Sequence, residues 1–478
     1  MKIFYMTSES TPFIKTGGLA DVSGSLPKSF AQVGHDVSVV LPLYGQISYE
    51  HREKMEYVGS YFVDMEWRRQ HVGVFKLELD NVKYYFIDNE FYFKREGIYG
   101  LGDDGERYIY FSRAAVSLLR FLDEKPDIVH ANDWHTGLIP LYIKDFAKGD
   151  YFYDKIKTAY TIHNIKYQGI FSAKILPLTG LSAAYFHEDG IKYYDAINMM
   201  KAGIVYCDLL TTVSETYAHE ITYPYFGEGL DGIIRKHQRK LVGIVNGIDY
   251  DKYNPKTDKL INYNFNQKNL DNKVKNKLEL QKMFNLPERK DVPMISMVTR
   301  LADLKGIDLL DYILGEMLQL DIQFVVLGTG ESRYEDMLRF YERIFKDKMS
   351  ARIYFNENES HKIYAGSDLY LMPSIAEPCG ISQLIAMRYG TLPIVRETGG
   401  LVDTVEPYNK YTGEGTGFRF SNINAHELLF TIKEAIEVYK DKDKFNKIIT
   451  SAMEKDFSWN TSRDEYIKYY ERIINNSL

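Results

Sequence analysis

Three charged residues in the second half of the chain could bind and act on an anionic ligand. Arg300 and Lys305 follow an apolar run at residues 294–298 and precede a helical pattern. Two positive side chains at the start of a helix are repelled by the positive end of the helix dipole. Their presence there is explained if they bind an anion such as a diphosphate. Glu377 follows another apolar run at residues 369–372, where its carboxylate could accept hydrogen bonds from sugar hydroxyls. The ordinary alternatives are solvated loop charges and an acid that caps a helix.

A glycine pair occurs twice at comparable places in the pattern. KTGGLADV at residues 15–22 lies between an apolar run and a helical segment, and TGGLVDTV at residues 398–405 repeats its core. Glycines after a strand let the backbone approach a ligand, and the following helix offers N–H groups to an anion. The pattern therefore predicts a phosphate site, with a plain tight turn as the alternative. We interpret the repeat as two glycine turns facing one substrate, of which only the first carries a lysine.

Histidines follow two further apolar runs, in HANDWH at residues 130–135 and in HN at residues 163–164. Their spacing does not suit zinc, and the acids that magnesium needs are scattered, so the sequence predicts no metal. His163 fits a structural histidine and a substrate-contacting one equally well. GTGE at residues 328–331 resembles a nucleotide-binding turn, although so short a pattern is not specific.

The overall composition bounds the class of protein. A chain of 478 residues with 45% hydrophobic and 26% charged residues predicts a soluble protein of two large domains. A net charge of -7 argues against nucleic acid or an anionic membrane as partner. Two cysteines, Cys207 and Cys379, are too few for a disulfide framework, and no apolar run is long enough to span a bilayer. These features predict a cytoplasmic protein.

Short apolar runs alternate with helical patterns in both halves, which predicts parallel sheets covered by helices on both faces. Strands are expected at residues 3–6, 37–42, 127–130, 158–162, 208–213, 241–245, 294–298, 323–327, 353–355, 369–372 and 393–395. Residues 44–110 predict an extra hairpin layer with a mobile loop at residues 95–105. We expect domains at residues 1–250 and 251–455, and a helix at residues 456–478 that packs on the first domain. Ligands of such sheets collect at the carboxyl ends of the strands, so the cleft between the domains is the expected site.

Taken together, these stretches resemble the bacterial glycogen synthases and plant starch synthases. The matching motifs are residues 15–22, DWH at 133–135, HNIKYQG at 163–169, NGID at 246–249, Arg300-Leu301 with Lys305-Gly306, EPCG at 377–380 and TGGL at 398–401. The resemblance implies a GT-B fold: two Rossmann-like doubly wound domains with an interdomain cleft and a C-terminal helix crossing back. It also implies retaining transfer of glucose from ADP-glucose to the non-reducing end of an α-1,4-glucan, with neither metal nor cofactor.

The resemblance also assigns roles to residues. Arg300 and Lys305 would neutralise the leaving ADP, Glu377 would hold glucose hydroxyls, and His163 would lie beside the glucose. The expected donor-binding residues are Lys15, Gly18, Asp21, Asn246, Phe355, Gly380, Ile381 and Ser382, and those expected near the acceptor in the cleft are Asp133, Trp134 and His135.

Two other functions remain compatible with the sequence. One is a GT-B glucosyltransferase that uses UDP-glucose or a small acceptor such as a maltooligosaccharide or sucrose. The other is a glucan-binding or regulatory protein with an inactive site, which fits poorly with the presence of Lys15, Arg300, Lys305 and Glu377 together. The sequence does not indicate the oligomeric state.

Overall fold

The computed structural model describes residues 1–477, which form two units, each with its own main sheet. Unit 1 comprises Met1–Gly247 together with the chain from Trp459 onward, and unit 2 comprises Ile248–Ser458. No helix within residues 1–477 is both long and apolar enough to cross a bilayer.

Strands and helices alternate through most of unit 1. Its strands are β1 (Lys2–Met6), β2 (Asp36–Pro42), β3 (Glu56–Met65), β4 (Arg68–Leu79), β5 (Val82–Asp88), β6 (Ile128–Asn132), β7 (Lys157–Ile162), β8 (Ile170–Ser172), β9 (Lys192–Tyr193), β10 (Ala196–Asn198), β11 (Leu209–Thr212) and β12 (Leu241–Gly243). Its helices before the unit boundary are α1 (Gly18–Gln32), α2 (Tyr49–Arg52), α3 (Glu90–Phe93), α4 (Asp104–Phe121), α5 (Ile139–Phe146), α6 (Met199–Tyr206), α7 (Glu215–Glu220), α8 (Pro224–Gly227) and α9 (Asp231–Lys236).

Nine of these strands form one sheet in the order β12-β11-β7-β6-β1-β2-β5-β4-β3. The central strands β1 and β2 are buried almost throughout, as expected for apolar runs covered on both faces. The strands β8, β10 and β9 form a small separate sheet that the sequence does not predict.

The hairpin predicted in residues 44–110 is present as β3 and β4, but the predicted extra layer is wrong, because β3, β4 and β5 extend the main sheet. β5 lies parallel to β2, with Val40 opposite Tyr85, and β4 and β3 follow in antiparallel pairing. The many aromatic residues here belong in part to these outer strands, where exposed positions alternate with less exposed ones along the second half of β3 and the start of β4.

The loop at residues 95–105, predicted to be mobile, is anchored to the start of α4. Asp104 Oδ2 accepts hydrogen bonds from the N–H groups of Gly100 at 2.7 Å and Leu101 at 3.2 Å. The buried Arg107 donates to the carbonyl oxygen of Ile98 at 3.2 Å. These contacts hold the centre of the loop in place.

The final helix, α18 (Trp459–Ile474), belongs to unit 1, as its aromatic pattern predicted. Tyr470 contacts Phe30 of α1 with ring centroids 5.7 Å apart. The Tyr470 hydroxyl also lies 2.6 Å from Nδ1 of the buried His130 on β6. This helix is therefore part of the packing around the central strands.

Strands and helices also alternate in unit 2. Its strands are β13 (Met294–Val298), β14 (Gln323–Leu327), β15 (Met349–Arg352), β16 (Leu369–Met372), β17 (Leu392–Arg396) and β18 (Phe418–Phe420). Its helices are α10 (Asp271–Met283), α11 (Ile307–Met317), α12 (Ser332–Ile344), α13 (Glu357–Gly366), α14 (Ser382–Arg388), α15 (Gly400–Thr404), α16 (Ala425–Lys440) and α17 (Lys442–Glu454).

The unit 2 strands form a parallel sheet in the order β15-β14-β13-β16-β17-β18. The strand predicted at residues 353–355 is wrong, because β15 ends at Arg352. Arg352 lies opposite Leu327, the last residue of β14, so the following residues have no partner strand. Asn356 then caps α13.

Candidate active site

The residues predicted to act on a donor follow the carboxyl ends of strands in both units. In unit 1, Lys15 follows β1 and His163 follows β7; in unit 2, Lys305 follows β13 and Glu377 follows β16. The carboxyl ends of neighbouring parallel strands share one edge of a sheet, so each unit collects its charged residues along one edge.

In unit 1, the glycine loop that carries Lys15 is held by a buried carboxylate. Lys15 Nζ lies 2.7 Å from Asp21 Oδ1, and both side chains remain partly exposed. Glu9 Oε2 accepts hydrogen bonds from the Thr16 N–H at 2.6 Å and from the Thr16 hydroxyl at 2.9 Å. Burial raises the pKa of Glu9. Gly18 is the exposed first residue of α1.

Asp133 and His163 are brought together by the ends of β6 and β7. Asp133 has a φ of 54° and accepts a hydrogen bond at Oδ1 from the His163 N–H at 2.8 Å. Burial raises the pKa of Asp133 to about 7. His163 Nε2 donates to Asn132 Oδ1 at 2.9 Å, and burial lowers the pKa of the ring to about 3. The imidazole is therefore neutral near pH 7 and can act as a hydrogen-bonding group but not as a cation.

Three other predicted residues of unit 1 are buried. Trp134 and His135 contact each other with tilted rings whose centroids are 4.0 Å apart, and His135 stacks on Tyr99. They form an aromatic support beside Asp133. Asn246 follows β12, and its buried Oδ1 has no hydrogen-bond partner among the described residues 1–477.

The fully buried His130 predicts how stability depends on pH. Burial lowers the pKa of His130 to about 3, whereas an unfolded histidine titrates near about 6.5. Between these values the unfolded chain binds a proton that the folded chain does not, so stability falls as pH falls. Between about pH 6.5 and pH 5, the free energy of unfolding should fall by about 2 kcal/mol less in His130→Gln than in wild type. Urea unfolding at both pH values measures this difference.

The matched control for this prediction is His426→Gln, which replaces an exposed histidine of unit 2. This variant should keep the wild-type pH dependence. Identical pH dependence in His130→Gln and wild type would contradict the prediction. Asp133 has the opposite effect on the pH dependence of stability, because its raised carboxyl pKa stabilises the folded state at lower pH. This contribution is the same in wild type and in both variants.

In unit 2, Lys305 and Glu377 form an ion pair across 72 residues of sequence. Lys305 Nζ lies 2.6 Å from Glu377 Oε2, and their side chains are 25% and 9% exposed. The Ser374 hydroxyl donates to the same oxygen at 2.9 Å. Glu377 therefore does not cap α14, which begins five residues later at Ser382. Its nearly buried carboxylate is oriented by two donors, and the lysine keeps further donor capacity.

A turn with two glycines supports the loop that carries Arg300. A Cβ atom at Gly328 would lie 1.9 Å from the Thr299 carbonyl oxygen, and one at Gly330 would lie 2.1 Å from that of Leu301. The GTGE pattern that resembled a nucleotide turn thus allows close packing on the flanks of Arg300. The Arg300 side chain is exposed, and it has no hydrogen bond or ion pair within residues 1–477.

The second copy of the repeated glycine pair supports Glu377 in the same way. A Cβ atom at Gly399 would lie 2.0 Å from the Glu377 carbonyl oxygen, and one at Gly400 would lie 2.2 Å from that of Cys379. The Gly400 N–H donates to the Glu377 carbonyl at 3.2 Å. Around Gly17, by contrast, a Cβ would meet nothing within 4 Å. The interpretation that both turns face one substrate is therefore wrong for the second pair, which packs against the Glu377 loop.

The remaining predicted residues of unit 2 lie at the start of α14 and in the loop after β15. Gly380, Ile381 and Ser382 lead into α14, whose first N–H groups have no acceptor within the helix. Phe355 lies in the loop after β15 and is 64% exposed.

Sequence reasoning missed two side chains that position the predicted ones. Glu9 anchors the loop of Lys15, and Ser374 orients Glu377. Glu9 lies three residues after β1, at the same sheet edge as the predicted residues, and that position was the available signal. Ser374 follows β16 in the same way, but nothing in its local sequence points to Glu377.

The fold and these residues define a GT-B glycosyltransferase, and comparisons with known proteins give the family. Residues 2–236 match the model of the starch synthase catalytic domain, and residues 279–452 match that of glycosyl transferases group 1. Glycogen synthase from Finegoldia magna is 54% identical over 99% of this chain and 100% of its own length. Glycogen synthase from Lachnospira eligens is 53% identical over 98% of this chain and 99% of its own length. The chain belongs to the glycogen synthase and starch synthase family.

Solved structures agree with this assignment. The catalytic domain of starch synthase IV from Arabidopsis thaliana, bound to ADP and acarbose, superposes with a TM-score of 0.93 at 33% identity, covering 99% of both chains. Sucrose-phosphate synthase from Thermosynechococcus elongatus gives a TM-score of 0.61 at 15% identity over the whole of both chains, a likeness of fold alone. The fold class, the family and the glycosyltransferase activity predicted from the sequence are thus confirmed.

Proposed function

We propose that this chain elongates an α-1,4-glucan by transferring glucose from ADP-glucose to the non-reducing end, with retention at the anomeric carbon and without a metal ion. The observation that carries the proposal is the Lys305–Glu377 pair, at 2.6 Å, on the same sheet edge as the exposed Arg300. The relative whose structure contains ADP and acarbose supports the choice of nucleotide and acceptor.

The two cations suit the departure of a nucleoside diphosphate. Breaking the bond between glucose and ADP places negative charge on the diphosphate and oxocarbenium character on the sugar. Arg300 and Lys305 would stabilise that charge more in the transition state than in the ground state. Within residues 1–477, no three His, Cys, Asp or Glu side chains converge as a metal site requires. Metal independence remains part of the proposal.

Glu377 suits a sugar-binding role better than a nucleophilic one. Its Oε2 already accepts from Lys305 and Ser374, which leaves Oε1 to accept hydrogen bonds from glucose hydroxyls. A covalent glucosyl intermediate would require a free carboxylate close to the anomeric carbon. We therefore propose that the leaving phosphate itself helps to deprotonate the acceptor hydroxyl on the same face of the sugar.

The test gives the purified protein glycogen with ADP-glucose or UDP-glucose in separate reactions, each with and without EDTA, and measures nucleotide release and chain growth. We expect rapid transfer from ADP-glucose, slower transfer from UDP-glucose and no effect of EDTA. Mass spectrometry of the quenched protein should find no glucosyl adduct. Preference for UDP-glucose would favour the alternative donor, and loss of activity in EDTA would overturn metal independence.

A further inference from the structure

We propose that Arg396 is a positioning residue for the Lys305–Glu377 pair and acts on it through the backbone of residues 374–375. This inference rests on the proposed function, in which that pair meets the donor. Arg396 is the last residue of β17, which lies beside β16 in the sheet, and it is only 6% exposed. A guanidinium at that depth must be surrounded by acceptors, because a buried charge is costly unless it is hydrogen-bonded.

The planar guanidinium binds two consecutive carbonyl groups in the loop after β16. Arg396 Nε donates to the Ser374 carbonyl oxygen at 3.0 Å, and Nη2 donates to that of Ile375. Nη1 donates to the carbonyl oxygens of Ser421 at 3.3 Å and Glu397 at 3.4 Å. The side chain thus ties the loop after β16 to the ends of β17 and β18.

The two residues that Arg396 holds each lead to one member of the ion pair. The Ser374 hydroxyl donates to Glu377 Oε2 at 2.9 Å. The Ile375 N–H donates to the carbonyl oxygen of Leu304, the residue before Lys305, at 2.9 Å. A shift of this short segment would therefore displace the carboxylate and the ammonium group together.

Substitution of this arginine should affect turnover more than binding. Arg396→Met removes the donors while keeping an apolar stem of similar length, and kcat should fall by about 100-fold, the effect of a displacement of about 1 Å at a reacting group. The KM for ADP-glucose should change by no more than about threefold, because the interactions that the displacement weakens are those that strengthen in the transition state. Arg396→Lys can reach one carbonyl but not both, so it should recover part of kcat.

Arg352→Met is the matched control. Arg352 is the last residue of β15, and its guanidinium donates to the Met283 carbonyl oxygen at 2.8 Å, at the opposite edge of the same sheet. Arg352 is half-buried and donates to fewer carbonyl groups than Arg396, so Arg352→Met should lose less thermal stability and keep its kcat. In a Glu377→Gln background, assayed with radiolabelled ADP-glucose, Arg396→Met should lower the rate by clearly less than about 100-fold, because one of the two groups it positions is already removed while Lys305 is still displaced.

Two results would overturn this inference. One is a kcat for Arg396→Met equal to that of Arg352→Met. The other is that Arg396→Met lowers the rate by the same factor in the Glu377→Gln background as in wild type. If Arg396→Met does not fold, the same comparison is made with Arg396→Lys. A crystal structure of either variant that keeps the 2.6 Å contact between Lys305 and Glu377 would overturn it independently of any activity. Wild-type protein that transfers no glucose from ADP-glucose would instead overturn the proposed function.

Discussion

Replacing Lys305→Ala should lower kcat by about 10²- to 10³-fold, the effect of removing one contact that stabilises charge in a transition state. The variant should still fold and bind glycogen, with a loss of up to about 3 kcal/mol in the free energy of unfolding, because the nearly buried Glu377 loses its cation. Ser374 still donates to Glu377 in this variant, so the carboxylate keeps one partner. Nucleotide release from ADP-glucose measures the rate, and co-sedimentation with glycogen measures binding.

Lys433→Ala is the control for that variant. Lys433 Nζ forms an ion pair with Glu316 at 2.8 Å, also in unit 2, and both side chains are exposed. Its loss should leave kcat unchanged. A Lys305→Ala rate within about tenfold of wild type would show that this cation does not stabilise the leaving group. Loss of glycogen binding together with turnover would indicate that the substitution disturbs the fold.

Replacing Gly399→Ala should disrupt the Glu377 loop as strongly as a substitution in Glu377 itself. The new Cβ would lie 2.0 Å from the Glu377 carbonyl oxygen, and Gly399 has a φ of 46° and a ψ of -135°, where any L-residue is strained. Relief of the clash must move the Glu377 backbone. We expect a loss of about 2–4 kcal/mol in the free energy of unfolding and a fall in kcat of at least about 100-fold.

Gly315→Ala makes the same chemical change within α11. There a Cβ would lie 3.5 Å from the nearest atoms of Tyr341, an ordinary contact, so alanine should stabilise the helix, by up to about 1 kcal/mol. Urea unfolding and kcat are measured for both variants. Wild-type kcat in Gly399→Ala would mean that the glycine pair does not position Glu377.

Helices and strands whose apolar residues recur at regular, short spacing were predictable from the sequence. The helix α1 and the strands β1 and β2 follow directly from apolar spacing, because each buries a face whose period is visible within ten residues or so. The aromatic spacing of α18 likewise predicted that the last helix would pack onto unit 1. Strand ends were less certain: residues 353–355 have strand-forming side chains, but β14 ends too early to pair with them.

Contacts between distant segments were not predictable in this way. The two glycine pairs have nearly the same sequence, yet Gly17 faces open space and Gly399 lies against the Glu377 carbonyl. Local sequence cannot distinguish them, because the difference comes from a loop on a neighbouring strand. The ion pair between Lys305 and Glu377 likewise depends on a contact between segments that are distant in sequence. Sequence identified both residues as charged groups at strand ends, but only the fold brings them to 2.6 Å.

The return of α18 to unit 1 has a consequence for how the gene could be rearranged. Because segments of unit 1 precede and follow unit 2 in the sequence, unit 2 is topologically an insertion within it. The two ends of that insertion are neighbours: the Ile248 N–H donates to the Phe457 carbonyl oxygen at 2.8 Å, and Ile248 forms a parallel bridge with Ser458. Inserted domains with adjacent ends disturb their host least. We therefore expect unit 2 to be exchangeable between relatives at these two junctions, while unit 1 keeps its own final helix.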